Sequence, residues 1–233
     1  MTPIDPKEIE AMRDELTENE YRQHYLAEWA EDDGQVFKNF EDLFVTQTPT
    51  FPDGRYLMGL DIGKLHDYTV AYVVDINTGQ FVAMDRFSGV DYTTLGPRIA
   101  GLYHDYHCQT IHMDASGVGE PVMDMLRQEN CSVTPFKFTN QSKSKIIAGM
   151  AAEIEHKRVQ FLKNDTQLYK ELSLYEGKVI SGGAIKYSAP VGYFDDCVIA
   201  AALAIDKLKK RRNTSRSAMQ SDYLSFAGSR SRW

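Results

Sequence analysis

Arg55-Tyr-Leu-Met-Gly-Leu-Asp-Ile-Gly-Lys64 is the stretch that decides how the rest of the chain is read. Tyr56 to Leu60 is apolar apart from Gly59, and the run closes on a lone carboxylate, Asp61, with Gly63 just beyond. Such a run predicts a buried strand that delivers an aspartate at its tip. A carboxylate placed there is costly to bury unless a cation compensates it. Two more acidic positions stand in comparable settings. Ile111-His-Met-Asp114 is a second short run ending in an acid before a glycine-containing turn, and Tyr193-Phe-Asp-Asp196 opens an apolar helix predicted over 195–210. Acids at the ends of three separate elements predict a metal site assembled by the fold.

Working outward, 68–75 and 80–87 are β-type runs, with Asn77-Thr-Gly79 as the hairpin signal between them. Connections this short predict antiparallel neighbours. Residues 91–104 read as a helix despite Gly96 and Pro97 near its start; 109–114 as a strand, 118–129 as a helix and 132–136 as a strand. That alternation predicts parallel pairing. A long amphipathic helix follows over 141–157, with Ile146, Ile147, Met150 and Ile154 toward the core, then another over 165–175. Lys178–Ile180 and Ala184–Ser188, split by Ser181-Gly-Gly183, predict a small hairpin. The fold class expected is α/β: a central mixed sheet, three antiparallel strands then parallel ones, with helices on both faces and a small hairpin.

Residues 1–50 read as a helical linker without a core of its own. Pro6 suits a first helical position, and Thr17-Glu-Asn-Glu20 fits a capping box. Tyr21, Tyr25, Leu26 and Trp29 then form an apolar stripe for packing on something else. The expected organisation is a linker over 1–50, the α/β domain over 51–210 and a basic tail without fixed structure over 211–233, where Ser and Arg dominate.

Composition narrows the class without naming a partner. At 233 residues there is room for one sizeable domain plus appendages, and 42% hydrophobic with 25% charged residues is ordinary for a soluble globular chain. No 18-residue apolar run argues for a membrane span, and the N-terminus lacks a signal-peptide layout. Cys108, Cys131 and Cys197 are odd in number and scattered, which speaks for a reducing compartment and against a disulfide framework or zinc site. The net charge of −7 hides an asymmetry: residues 1–50 hold 13 acids against 4 bases, whereas 207–233 hold 8 bases against 1 acid. An acidic body disfavours nucleic acid, but a basic tail or a metal-filled acidic cleft overrides that, so global charge decides little.

The order of acids and elements resembles the plan of RNase H-like nucleases. In that chemistry two Mg²⁺ ions about 3.5–4 Å apart activate a water and stabilise the leaving oxygen of a phosphodiester. Asp61 is the candidate to bridge both ions, with Asp114 and the Asp195/Asp196 pair on the flanks. Mg²⁺ takes a few carboxylates plus waters and substrate oxygens, so three or four acids suffice. Each acid also has a structural reading: Asp61 as a turn residue, Asp114 in a helix N-cap region, Asp195 and Asp196 as caps of the last helix. Lys64, His66 and Asp67 read first as a solvated loop, and Lys143 and Lys145 as a solvated helix face; His104, His107 and His112 lack a metal-ligand spacing.

Read together, Tyr56-Leu-Met-Gly-Leu-Asp-Ile-Gly through Asp67-Tyr-Thr-Val, His112-Met-Asp-Ala-Ser-Gly-Val-Gly-Glu-Pro-Val, Phe138-Thr-Asn-Gln-Ser-Lys-Ser-Lys-Ile-Ile and Gly192-Tyr-Phe-Asp-Asp-Cys-Val-Ile-Ala-Ala-Ala-Leu-Ala resemble the nuclease domain of tailed-phage large terminases, over roughly residues 50–208. The resemblance implies metal-dependent endonuclease activity on double-stranded DNA with Mg²⁺ or Mn²⁺, two ions at full occupancy. It implies Asp61 and Asp114 as ligands and the Asp pair as the third, Asp196 ahead of Asp195; many relatives carry His where this chain has Phe194. The implied partners are DNA, the terminase ATPase domain, the small terminase and the portal, in the host cytoplasm and away from membranes. Residues 1–50 resemble the end of the ATPase portion, but no G-x-x-x-x-G-K-[ST] occurs. A fragment is therefore expected, either an excised nuclease or a split gene product.

Three other readings compete. Asp61-Ile-Gly63 and Ser116-Gly-Val-Gly119 superficially fit the phosphate loops of actin-like or sugar-kinase ATPases, a fold that needs two duplicated halves. A non-cutting packaging adaptor of the same fold would keep the acids and lack activity. Resolvases of related fold act as dimers, for which the sequence carries no signature.

Overall fold

The computed structural model describes residues 12–13, 15–25, 34–46, 54–63, 67–115, 119–179 and 185–229. After α1 (Glu18–Tyr25) and β1 (Phe44–Val45), the chain lays down β2 (Tyr56–Asp61), β3 (Thr69–Asp75) and β4 (Phe81–Phe87). It then alternates α2 (Tyr92–Asp105), β5 (Ile111–Asp114), α3 (Gly119–Gln128) and β6 (Val133–Phe136). The last part holds α4 (Asn140–Glu155), β7 (Phe161–Leu162), α5 (Thr166–Leu174), the hairpin β8 (Glu176–Val179) and β9 (Ile185–Ser188), and α6 (Asp196–Ser229).

The central sheet has the order β4-β3-β2-β5-β6. β2–β3 and β3–β4 are antiparallel, β2–β5 and β5–β6 parallel, as the spacing of the runs predicts. The β3–β4 turn is held by Asp75, whose Oδ1 accepts the Asn77 N–H at 2.7 Å, and by Gly79 at φ +79°, a left-handed conformation that favours glycine.

Alternation along β2 sorts the two faces. Tyr56, Met58 and Leu60 join Ile111 and Met113 in a core under α2 and α3. Leu57, with Val70, Tyr72 and Val74, joins the larger core under α4, α5 and α6. α6 lies across that face; Val198 and Ala200–Ile205 are all buried, and a helix apolar on every side belongs in an interior. The five-stranded sheet of the described residues carries no duplicated half, unlike the fold that the sugar-kinase reading needs.

Two expectations change. Part of the segment read as a linker packs into the domain: Phe37, Phe40 and Leu43 are buried in the same core as α6, and β1 pairs in parallel with β7. Aromatic side chains bury too much apolar area to be left on a linker when a groove beside β7 and α5 accepts them. Upstream, the capping box forms as spaced: Thr17 Oγ1 accepts the Glu20 N–H at 3.2 Å and Glu20 Oε2 the Thr17 N–H at 3.0 Å. Leu26 and Trp29 lie outside the described residues, as does the Ser181–Gly183 turn. The second change is at the other end. The last helix, expected to stop at Lys210 before an unstructured tail, runs to Ser229, because no proline interrupts it and the first glycine after Asp196 is Gly228.

Candidate metal centre

The register of β2 and β5 places two of the acids. Leu60 pairs with Met113, so Asp61 and Asp114 take the next positions at the carboxyl ends of adjacent parallel strands, about 4.8 Å apart. Alternation turns both toward the α6 face: His112, two residues before Asp114, hydrogen-bonds the Leu203 carbonyl of α6 through Nδ1 at 2.9 Å. That bond, with burial, explains His112 as a packing residue. His104 is likewise spoken for, with Nε2 2.8 Å from the Glu129 carbonyl oxygen.

Gly59 lets α6 come down onto the strand. A Cβ there would overlap the Ala200 carbonyl oxygen and stand 2.6 Å from Ala204 N and 2.7 Å from Ala204 Cβ. The close approach brings the amino end of α6, with Asp195 and Asp196, to the end of β2 that carries Asp61.

The other three acids act on Asp61. Burial holds the Asp61 carboxyl well above the ordinary carboxylate range, Asp196, Asp195 and Asp114 push it further in that order, and Lys143 opposes them. Asp196 is pushed up to about 6, by burial first, then by Asp195 and Asp67, with Arg86 opposing. Its Oδ2 is buried and has no hydrogen-bond partner. Asp195 differs: its Oδ2 receives the Lys143 ammonium at 3.0 Å and the Tyr175 hydroxyl at 3.4 Å. A cleft of about 350 Å³ opens over the site, lined by Asp61, Asp114, Thr139, Asn140 and Lys143 among others. Among the described residues, no three His, Cys, Asp or Glu side chains stand at ready-made ligating spacing. The acids are gathered in one field without being locked into a coordination shell.

This donor set fits a hard divalent cation. It consists of carboxylate oxygens, it concentrates negative charge, and it includes an orphaned buried oxygen that a cation would satisfy. Of the loop residues singled out in the sequence, Asp67 acts on Asp196, while Lys64 and His66 lie outside the described residues.

Three supporting residues were not legible as such. Lys143 is an ion-pair partner within the site, not merely part of a solvated face. Arg86 lies flat over the Tyr68 ring, guanidinium carbon 3.3 Å from its centroid, and Tyr68 meets Phe194 edge-on at 5.6 Å. Glu171 is buried on α5; its Oε2 accepts the Val198 N–H at 3.1 Å, tying down the first turn of α6, and its Oε1 accepts from Gln167 at 2.9 Å. A signal for Glu171 existed: it falls on the apolar stripe of Leu168, Leu172 and Tyr175, where a charge needs a partner.

Strand order, sheet polarity and acids at the carboxyl ends of neighbouring parallel strands, opposite a helix amino end, define an RNase H-like nuclease domain. The chain belongs to the terminase RNaseH-like domain family, whose model matches residues 58–208. The large terminase subunit of Thermus virus P23-45 is 28% identical over 197 residues, covering 79% of this chain; the chain spans 40% of that relative's length. The large terminase nuclease of thermophilic phage G20c with bound magnesium is similar at a TM-score of 0.66 and 26% identity, covering 75% of this chain and 97% of that one. The same nuclease with bound cobalt matches at the same level.

Proposed function

We propose that this chain is a metal-dependent endonuclease that hydrolyses double-stranded DNA, as the cutting domain of a packaging terminase. One observation carries the reading: burial and then Asp196, Asp195 and Asp114 raise the proton affinity of Asp61, while Asp196 Oδ2 is buried without a partner. Asp61, Asp114 and Asp196 would hold Mg²⁺ or Mn²⁺, two ions at full occupancy, with Asp195 as an auxiliary ligand. Divalent cations there supply a Lewis acid and a deprotonated water at neutral pH.

The protein's own contribution is placement. β2 fixes Asp61 through pairing on both edges, and Gly59 sets the depth of α6. Glu171 holds the turn carrying Asp196, and Lys143 keeps Asp195 aligned while tempering the negative field. No protein nucleophile is needed, because the attacking oxygen comes from water. By the same reading the working partners are duplex DNA, an ATPase domain, a small terminase and a portal.

Supercoiled plasmid incubated with Mg²⁺ or Mn²⁺, with and without EDTA, tests the proposal. Nicking and linearisation are expected with metal, and none with chelator or in Asp61→Ala. Equal cutting by parent and Asp61→Ala would remove it.

A further inference from the structure

Beside the carboxylates the chain exposes an apolar tip that nothing in the site requires. Pro190-Val-Gly-Tyr193 is a tight turn, closed by the Tyr193 N–H to the Pro190 carbonyl at 3.0 Å, with Gly192 at φ +87°. This is the type II pattern, glycine at the third position. It fixes Val191 outward, fully exposed, and leaves Tyr193 and Phe194 half exposed, at 50% and 45%. Among the described residues the other exposed large apolar side chains, Tyr25, Tyr169 and Ile185, are single residues, and only here do three fall within four positions.

The tip is braced on the site side and flanked by positive charge. Phe194 packs edge-on against Tyr68, whose ring Arg86 covers. Lys170 Nζ lies 5.5 Å from the centroid of the Tyr193 ring. Asp195, the next residue after Phe194, is bonded to Lys143 in the cleft. The tip thus runs directly into the acid-bearing start of α6, Tyr193 standing two residues before Asp195, with Lys170 beside it.

We infer that Val191 and Tyr193 form a wedge that presses into a base step of the bound DNA next to the scissile phosphate, with Lys170 on the adjoining backbone. The inference rests on the endonuclease reading above and adds how the substrate is engaged. Apolar side chains inserted at a base step partly unstack it and kink the duplex. Unstacking costs least at pyrimidine–purine steps, so a wedge gives a step preference with no hydrogen bond to a base edge. The rigid turn suits that role, because a flexible loop would lose the insertion energy to its own ordering.

The test is to digest linear duplex DNA with the parent and with Val191→Ser/Tyr193→Ser in Mn²⁺ and to sequence the ends. Parent cuts are expected to concentrate several-fold at TA and CA/TG steps. The double variant is expected to melt with the parent, to lose that concentration, and to show a KM for DNA raised about tenfold, the scale of one lost base contact. Tyr193→Trp, which keeps a ring, retains the profile. Parent cuts spread evenly over all steps, or an unchanged profile in the double variant, overturn the wedge and leave the endonuclease reading standing. A double variant that cuts as the parent does but loses self-association in sedimentation marks the tip as a protein contact and overturns it as well. A parent that never cuts overturns the underlying reading, and the wedge with it.

Discussion

The Lys143 ammonium stands 3.0 Å from Oδ2 of Asp195, while Asp196, one residue on, keeps its own Oδ2 buried and unpartnered. Adjacent carboxylates thus enter the site differently. Asp195 is already compensated by a cation and the Tyr175 hydroxyl, so Asp196 is the freer of the two to accept a metal.

Removing that cation tests the division. The pair is about a third exposed on both sides, which limits its worth to roughly 1 kcal/mol or less. Lys143→Gln is expected to lower the metal-free melting temperature by no more than about 2–4 °C, and to enlarge the rise on adding Mn²⁺, because the acidic cluster then loses one of its compensating cations. Melting curves with and without Mn²⁺ check both; a smaller metal response would contradict them.

Asp61→Asn removes the carboxylate that feels the other three. Relief of like-charge repulsion is expected to raise metal-free stability by about 1 kcal/mol, and the melting temperature should cease to respond to Mg²⁺ or Mn²⁺. Thermal melts read both, and a variant that melts below the parent without metal would count against the clustered-charge account.

Glu171 gives a pH signature. Burial pushes its carboxyl up to about 7, with the Gln167 and Val198 hydrogen bonds opposing. In the unfolded chain the group ionises near 4.5. Between these values the folded protein holds the extra proton, so stability falls as pH rises across the window and levels off above it. The loss from this group amounts to at most roughly 3 kcal/mol. Glu171→Gln, which keeps an acceptor for Val198, is expected to flatten that part of the curve. Denaturant titrations from pH 4 to 8 would show it, and parallel parent and variant curves would refute it.

Gly59→Ala probes the seat of α6. The new methyl meets the Ala200 carbonyl and Ala204, both backbone-anchored, so overpacking is expected to cost about 2–3 kcal/mol. Chemical denaturation measures this; a variant as stable as the parent would mean that α6 does not rest on β2 at this depth.

The sheet could be read from the chain because strand-length apolar runs, a turn signal at Asn77-Thr-Gly79 and the later strand–helix alternation all act locally. Asp61, Asp114, Asp195 and Asp196 stand out in the sequence because the first two close strands and the pair opens a helix. The sequence predicts that they converge, but the geometry of the meeting was not legible, since it depends on the Leu60–Met113 register and on α6 settling over Gly59. Lys143 and Glu171 take their meaning from partners 52 and 27 residues away, a separation no local pattern encodes. Phe37 and Phe40 were assigned to a linker for the same reason: their groove is built by later elements.

The most direct test of the central claim is an anomalous difference map from a crystal of the protein soaked in Mn²⁺. Manganese is predicted at coordination distance, about 2.0–2.2 Å, from the Asp61 carboxylate and shared with Asp114 and Asp196. Manganese bound elsewhere, or the three carboxylates turned apart with no ion between them, would contradict it.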